Sequence, residues 1–219
     1  MKVIVILVAL FAIAGRLDAD VLSQYNFTGS VRTSSDADLN STATDFIDGP
    51  GLTGTIDGGR GNPLPSLSPN LGTTASTQAL ALSGNDYFTF TITPAGGFQL
   101  NLTSITFDSA VFGNITATFF LRSSADNFAT DLGSTTTSSS TFANTNISLT
   151  GVSFQNVTSS LTFRLYVFDN QDTGNRGGLL DNILLNGITI AIPEPATWAS
   201  FMVGGGLLVA SWGLRRKRA

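Results

Sequence analysis

The stretch 87–93 reads YFTFTIT, which places Phe88, Phe90 and Ile92 on one face and threonines on the other. An apolar period of two is what a half-buried strand requires, because successive side chains of an extended chain point to opposite faces. Comparable runs recur at 21–27, 79–83, 100–107, 115–122, 147–154, 161–168 and 183–190, and no i, i+3, i+4 apolar stripe persists between Asp20 and Ile190. With Gly/Asn/Asp/Ser loops between the runs, the pattern predicts an all-β fold, an antiparallel jelly-roll-like β-sandwich of about eight strands. The alternation slips phase between Leu102 and Ile105, which predicts a bulge near Thr103. The segment 36–72 holds Pro63, Pro65 and Pro69 among many Gly and Asp residues and is expected to be a surface excursion, and 134–141 a solvated Ser/Thr loop.

Composition removes several kinds of chemistry. The chain has no cysteine and no histidine, which excludes a disulfide frame, a thiolate nucleophile, a Ser-His-Asp triad and an ordinary zinc site. Between Asp20 and Ala191 there are five arginines, no lysine and thirteen aspartates, a net charge of −8. A mildly acidic domain has no general attraction for a phosphate backbone, so no nucleic-acid partner is expected.

The two ends have a different composition. Met1 and Lys2 precede the apolar run 3–14, of signal-peptide length and too short to cross a bilayer comfortably. Leu17-Asp18-Ala19 offers a cleavage site before Asp20, with Ala12-Ile13-Ala14 as the alternative, and 1–19 is read as a signal peptide ahead of a domain at 20–191. At the other end, 196–214 carries no charge and as a helix would measure about 28 Å, close to the hydrocarbon thickness of a bilayer. Trp198 and Trp212 lie near its ends, where interfacial aromatics belong, and the basic tail Arg215, Arg216, Lys217, Arg218 follows, which places the C-terminus in the cytoplasm. Immediately before the span stand Pro193, Glu194 and Pro195, a rigid, extended tripeptide that isolates the span from the domain because both prolines lack the N–H that a helix or sheet interior needs.

The ordered composite of Pro-Glu-Pro, apolar span and basic cluster over 192–219 resembles the PEP-CTERM sorting signal of Gram-negative bacteria. The resemblance implies export, exosortase and the secretion machinery as partners, transient residence in the inner membrane, and delivery to the cell surface or extracellular matrix. Pro193, Glu194 and Pro195 would then be the recognition motif.

Candidate chemistry within the domain is sparse. Leu180-Asp181-Asn182-Ile183 resembles the closing strand of jelly-roll domains related to carbohydrate-binding modules, which implies a glycan-binding alternative. Asp169, Asp172 and Asp181 are oxygen donors around a Gly-rich loop and form a candidate structural calcium site, although Asp and Asn also favour turns for their own backbone bonds. No other cofactor is expected. A glycan-acting hydrolase would need two of the aspartates, and no catalytic motif accompanies them. The expectation is therefore a non-enzymatic surface or matrix protein, associated with exopolysaccharide or biofilm, with a carbohydrate-binding module as the alternative. Replacing Pro193, Glu194 and Pro195 with alanine is expected to leave membrane insertion intact and to block processing; normal surface delivery of that variant, followed by cell fractionation, would remove the sorting reading.

Overall fold

The computed structural model describes residues 20–35, 38–57, 66–71, 75–170 and 178–193. They form two facing antiparallel sheets of six strands each, so the all-β sandwich read from alternation is the observed architecture. In chain order the elements are β1 (Asp20–Tyr25), β2 (Ser41–Ala43), β3 (Ile47–Asp48), β4 (Leu52–Asp57), β5 (Ser66–Leu71), the helix α1 (Gln78–Gly84), β6 (Tyr87–Pro94), β7 (Phe98–Ala110), β8 (Ala117–Ser123), β9 (Gly133–Thr137), β10 (Ala143–Ser148), β11 (Leu161–Asp169) and β12 (Leu179–Ala191). Sheet A runs β10-β7-β12-β5-β4, with β1 also on β12; sheet B runs β2-β6-β11-β8-β9, with β3 also on β6.

Strands β7 and β12, thirteen residues each, pair along almost their whole length and form the spine of sheet A. The predicted bulge is present: Asn186 faces Ser104 while Gly187 faces Leu102, which leaves Thr103 as the extra residue. Its carbonyl accepts the N–H of Leu149 instead. The bulge also brings β7 against a position where only glycine fits, since a Cβ on Gly187 would lie 2.6 Å from the Asn101 carbonyl oxygen.

Between the sheets, Phe88, Phe90 and Ile92 of β6 and Phe163, Leu165 and Val167 of β11 meet Leu100, Leu102, Ile105 and Phe107 of β7 in one buried core. Phe90 and Phe163 stack with ring centroids 5.4 Å apart, and Phe46 stacks on Phe88 at 5.3 Å. Tyr25 joins this cluster with its ring fully buried, its hydroxyl donating to the Thr44 carbonyl at 2.7 Å. A buried phenol needs such a partner, because an unmade bond there costs more than a made one returns.

Three local expectations are corrected. The run 79–83 is helical: the Thr77 hydroxyl caps the first turn by accepting the Leu80 N–H, Asn85 closes it in the left-handed conformation, and Ala81 turns inward. Too short to establish a period, that run yields to its caps. The excursion 36–72 contributes β2 to β5, with Pro69 paired opposite Gly54 in the outer pair of sheet A, where a missing N–H is tolerated. The Ser/Thr tract contains β9, whose pairing with β8 buries Thr137. The extra short strands raise the total among the described residues to twelve.

Among those residues no helix is long and apolar enough to cross a membrane. The signal segment 1–19, Glu194, Pro195, the span 196–214 with Trp198 and Trp212, and the basic tail 215–218 lie outside the described residues. Truncating Phe90 to Ala is expected to cost about 3 to 5 kcal/mol of stability, as lost transfer energy plus a cavity. Denaturant unfolding should show a lower midpoint at unchanged slope, and a loss under about 1 kcal/mol would mean that the core collapses to fill the site.

Candidate functional site

The threonines that alternate with the core phenylalanines of β6 emerge on the outer face of sheet B, and the register lines them up with hydroxyls on neighbouring strands. Thr42, Thr93 and Ser160 make one row, with Thr93 and Ser160 joined hydroxyl to hydroxyl at 2.8 Å. The next contains Thr91 and Thr162, also joined at 2.8 Å, with the Thr44 hydroxyl accepting the Thr91 N–H at 3.0 Å and the Ser124 hydroxyl accepting the Thr162 N–H at 2.9 Å. With strands about 4.8 Å apart and same-face residues roughly 7 Å apart, these rows form a shallow grid of groups that both donate and accept.

One step along the strands the chemistry changes. Thr89, Arg164 and Arg122 form the third row, and Tyr87, Tyr166 and Phe120 the fourth. Arg164 lies between two rings, its guanidinium carbon 4.5 Å from the Tyr87 centroid and 3.8 Å from that of Phe128. Arg122 holds the loop carrying Phe128 by donating to the Phe128 carbonyl at 3.0 Å and to Asp131 at 2.6 Å. Arg164 has no carboxylate partner among the described residues, and ring stacking fixes its plane. The fourth row is closed off. Tyr166 stacks on Phe120 at 4.9 Å and meets the edge of Tyr87 at 5.0 Å; all three are buried although they lie on the outer face, with α1 packed against β11 beside them.

At the opposite margin of the hydroxyl rows a groove of about 500 Å³ opens between Ser124, Ala125 and the segment 152–161, with Phe154 left out of its lining. The lining is uncharged and rich in hydroxyls and amides. Gln155 is committed to the fold, donating to the Leu102 carbonyl at 2.8 Å, and Asn156 accepts from Gln99 at 2.9 Å.

The sequence-predicted aspartates are dispersed. Asp169 ends β11 in sheet B, where its N–H reaches the Ala75 carbonyl, whereas Asp181 lies on β12 in sheet A opposite Asp108. Asp172 lies outside the described residues, and among those described no three His, Cys, Asp or Glu side chains gather as a metal site would require. Burial raises the Asp181 pKa, the neighbouring Asp108 charge adds to the rise, and the Asn182 N–H opposes it. Amides relieve that pair: Asn144 donates to one Asp108 oxygen at 2.8 Å and Asn182 approaches the other at 3.4 Å. Asn182 takes a left-handed φ of 50°, where a second register shift bends β12. Pro193 is described just past β12, after Ile192 has donated its N–H to the Gly97 carbonyl.

The functional candidates missed by sequence reasoning are Arg164, Arg122, Phe128 and the Thr rows. Thr89, Thr91 and Thr93 were visible in the same heptapeptide as the core, but which strands flank them depends on sheet order.

No protein-family model matches the chain, and no curated protein does. Several solved structures resemble it. The CBM22-1 xylan-binding domain of Paenibacillus barcinonensis Xyn10C is 11% identical over 81% of this chain and 100% of its own, with a TM-score of 0.43. The family 11 carbohydrate-binding module of the Clostridium thermocellum cellulase Lic26A-Cel5E is 14% identical over 83% and 99%, with a TM-score of 0.36. An exo-beta-agarase is 14% identical over 78% of this chain and 25% of its own, with a TM-score of 0.42. The sandwich described above rests on its own strand pairing.

Asp86 has a different relation to the site. It continues the buried face of β6, is fully enclosed, and neither carboxyl oxygen finds a hydrogen-bond partner. Desolvation pushes its pKa from 3.8 up to about 6. No substrate can reach it, so its consequence is for stability. Its folded pKa lies above the unfolded value, so the native state holds a proton that the unfolded chain has released. Its contribution to stability is therefore largest below pH 3.8 and declines as pH rises to about 6, by about 3 kcal/mol in all. Asp86→Asn should remove that decline and raise stability at pH 7. Thermal unfolding of both proteins from pH 3.5 to 7.5 checks it, and parallel curves would show that Asp86 titrates normally.

Proposed function

We propose that this chain is an exported, non-enzymatic protein of the cell surface or extracellular matrix that holds polysaccharide against the outer face of sheet B. The observation that carries the reading is the hydroxyl grid of Thr42, Thr93, Ser160, Thr91 and Thr162, continuous with an uncharged groove on one side and bounded by Arg164 on the other. A polysaccharide presents rows of hydroxyls that must exchange water for other donors and acceptors, and side-chain hydroxyls serve as either. Net gain per such bond is small, about 0.5 to 1.5 kcal/mol, so a single copy binds weakly and many copies along one polymer bind firmly. That suits an architectural role. Arg164, already fixed between two rings, loses little freedom when it donates to a sugar oxygen.

The sorting composite of Pro193, Glu194 and Pro195, the apolar run 196–214 and the basic cluster supports export through exosortase, with transient residence in the inner membrane. We read the repeated crossing of the chain between layers, from β6 to β7 to β8 and from β9 to β12, as jelly-roll connectivity. A hydrolase is disfavoured because the two burial-raised carboxyls, Asp86 and Asp181, belong to different sheets and Asp86 is sealed from solvent.

Affinity electrophoresis of the purified protein through gels containing neutral and acidic polysaccharides, with and without calcium, tests the reading. Retardation by at least one polymer is expected, and the double variant Thr91→Val, Thr162→Val should weaken it about tenfold, the worth of one to two hydrogen bonds. Asn146→Ala, on exposed β10 of sheet A, should have no effect. Equal retardation of all three proteins would move binding off this face, and no retardation by any polymer would remove the glycan reading.

A further inference from the structure

The strand directions give the sandwich two unlike ends. β12 finishes at Ala191 opposite Phe98, and Ile192 bonds to Gly97, so the chain leaves for its apolar tail beside the β6–β7 turn. β1 begins at Asp20 opposite Gly187, so the segment joined to the signal run departs toward the same end. The loop after β10 returns there too, since Val157 pairs with Leu100, and so does the lead into β2, since Ala95 donates its N–H to the Asn40 carbonyl.

Two aliphatic side chains project from the loops of this end. Leu39 is 94% exposed and Val152 is 90% exposed, well above every other large apolar residue described, the next being Ile47 at 52%. Ile192, at the exit itself, is 40% exposed. Single exposed apolar residues are ordinary on a surface; that the two most exposed both fall at the end where the chain exits lie is not explained by that. The loops 94–97 and 149–160 contain no charged residue; the described charges near this end include Asp20, Asp38, Asp126, which is engaged by the Thr130 hydroxyl and by two backbone N–H groups, and Asp131, which pairs with Arg122. Asp86, Asp108, Asp169 and Asp181 all lie at the opposite end. Thirteen-residue strands put that acidic end about 40 Å away.

We infer that the end bearing Leu39, Val152 and Ile192 is a lipid-facing surface that rests on the bilayer interface while the tail is in the membrane. This rests on the reading of 196–214 as a span. Only Ile192, Pro193, Glu194 and Pro195 separate the last strand from that run, a reach of roughly 13 Å at full extension, shortened in freedom by two prolines. Such a tether keeps the tips at high local concentration near the interface, so two aliphatic side chains suffice where they would not hold an untethered protein. The strands then stand on the membrane and the outer face of sheet B looks sideways, open to a polymer. Release of the tail would free this end together with the groove beside Val152.

The absence of native cysteine makes the test direct. Full-length protein carrying Leu39→Cys, Val152→Cys or, at the far end, Asn114→Cys is labelled with a small fluorophore and reconstituted into vesicles containing headgroup-quencher lipid. Labels at 39 and 152 should be quenched several-fold more than the label at 114; equal quenching at all three sites overturns the inference. Carbonate extraction of the same vesicles separates the two readings. Protein that resists extraction but shows equal quenching defeats the lipid-facing end alone, whereas protein that is extracted defeats the span and this inference with it.

Discussion

The pairing of β7 with β12 is the contact on which the rest of the sandwich depends. β12 is the last strand of the domain, yet it sits inside sheet A, flanked by β7 on one side and by both β1 and β5 on the other. Among the described residues β1 has no other strand partner, and β5 and β4 reach the sheet only through β12. Sheet A therefore cannot assemble until residues 179–191 are present, and its formation closes contacts separated by most of the chain. Such non-local pairing is slow to form because loop entropy is lost before the contacts are gained.

Sheet B divides the labour differently. Its inner face is apolar along the middle of the strands, with Ser123, Asp86 and Asp169 at their ends, while its outer face changes along the strands from hydroxyls, through Thr89 and Arg164, to the rings of Tyr87, Tyr166 and Phe120. Rings cannot remain bare on a face of that size without inviting association, and here the region of α1 and the Arg122-held loop lies against them. Threonine needs no cover. The boundary between the covered and uncovered parts falls at Arg164, whose guanidinium packs on rings and has no carboxylate partner among the described residues. The candidate site is thus the part of an outer face that a second layer was not required to bury.

The two ends of the sandwich differ for a related reason. The buried carboxyls Asp86 and Asp181 lie at the far end, at the cost of raised pKa values, and Asp181 alone of the two accepts a local backbone N–H, that of Asn182. The exit end includes the uncharged loops 94–97 and 149–160. A protein attached to anything through residues 192–195 presents that end to it and directs Asp86, Asp108, Asp169 and Asp181 away.

Much of the fold was legible in the residues themselves. The alternation at 87–93 determined a half-buried strand with Phe88, Phe90 and Ile92 inward, and the phase slip determined the bulge at Thr103, because the period of two is a property of the extended backbone and needs no neighbour. The lack of cysteine and histidine excluded whole reaction classes for the same reason. Where a segment was short, alternation was not decisive: 79–83 alternates like a strand but is made of the helix formers Ala and Leu between a helix's caps, and β9 owes its existence to the β8 edge beside it. What the tertiary structure alone decided was partnership. The Thr91 and Thr162 hydroxyls, the rings about Arg164, and the separation of Asp169 from Asp181 onto different sheets all follow from strand order, and strand order is set by how two whole sheets bury their faces against each other, a quantity no local window of sequence contains.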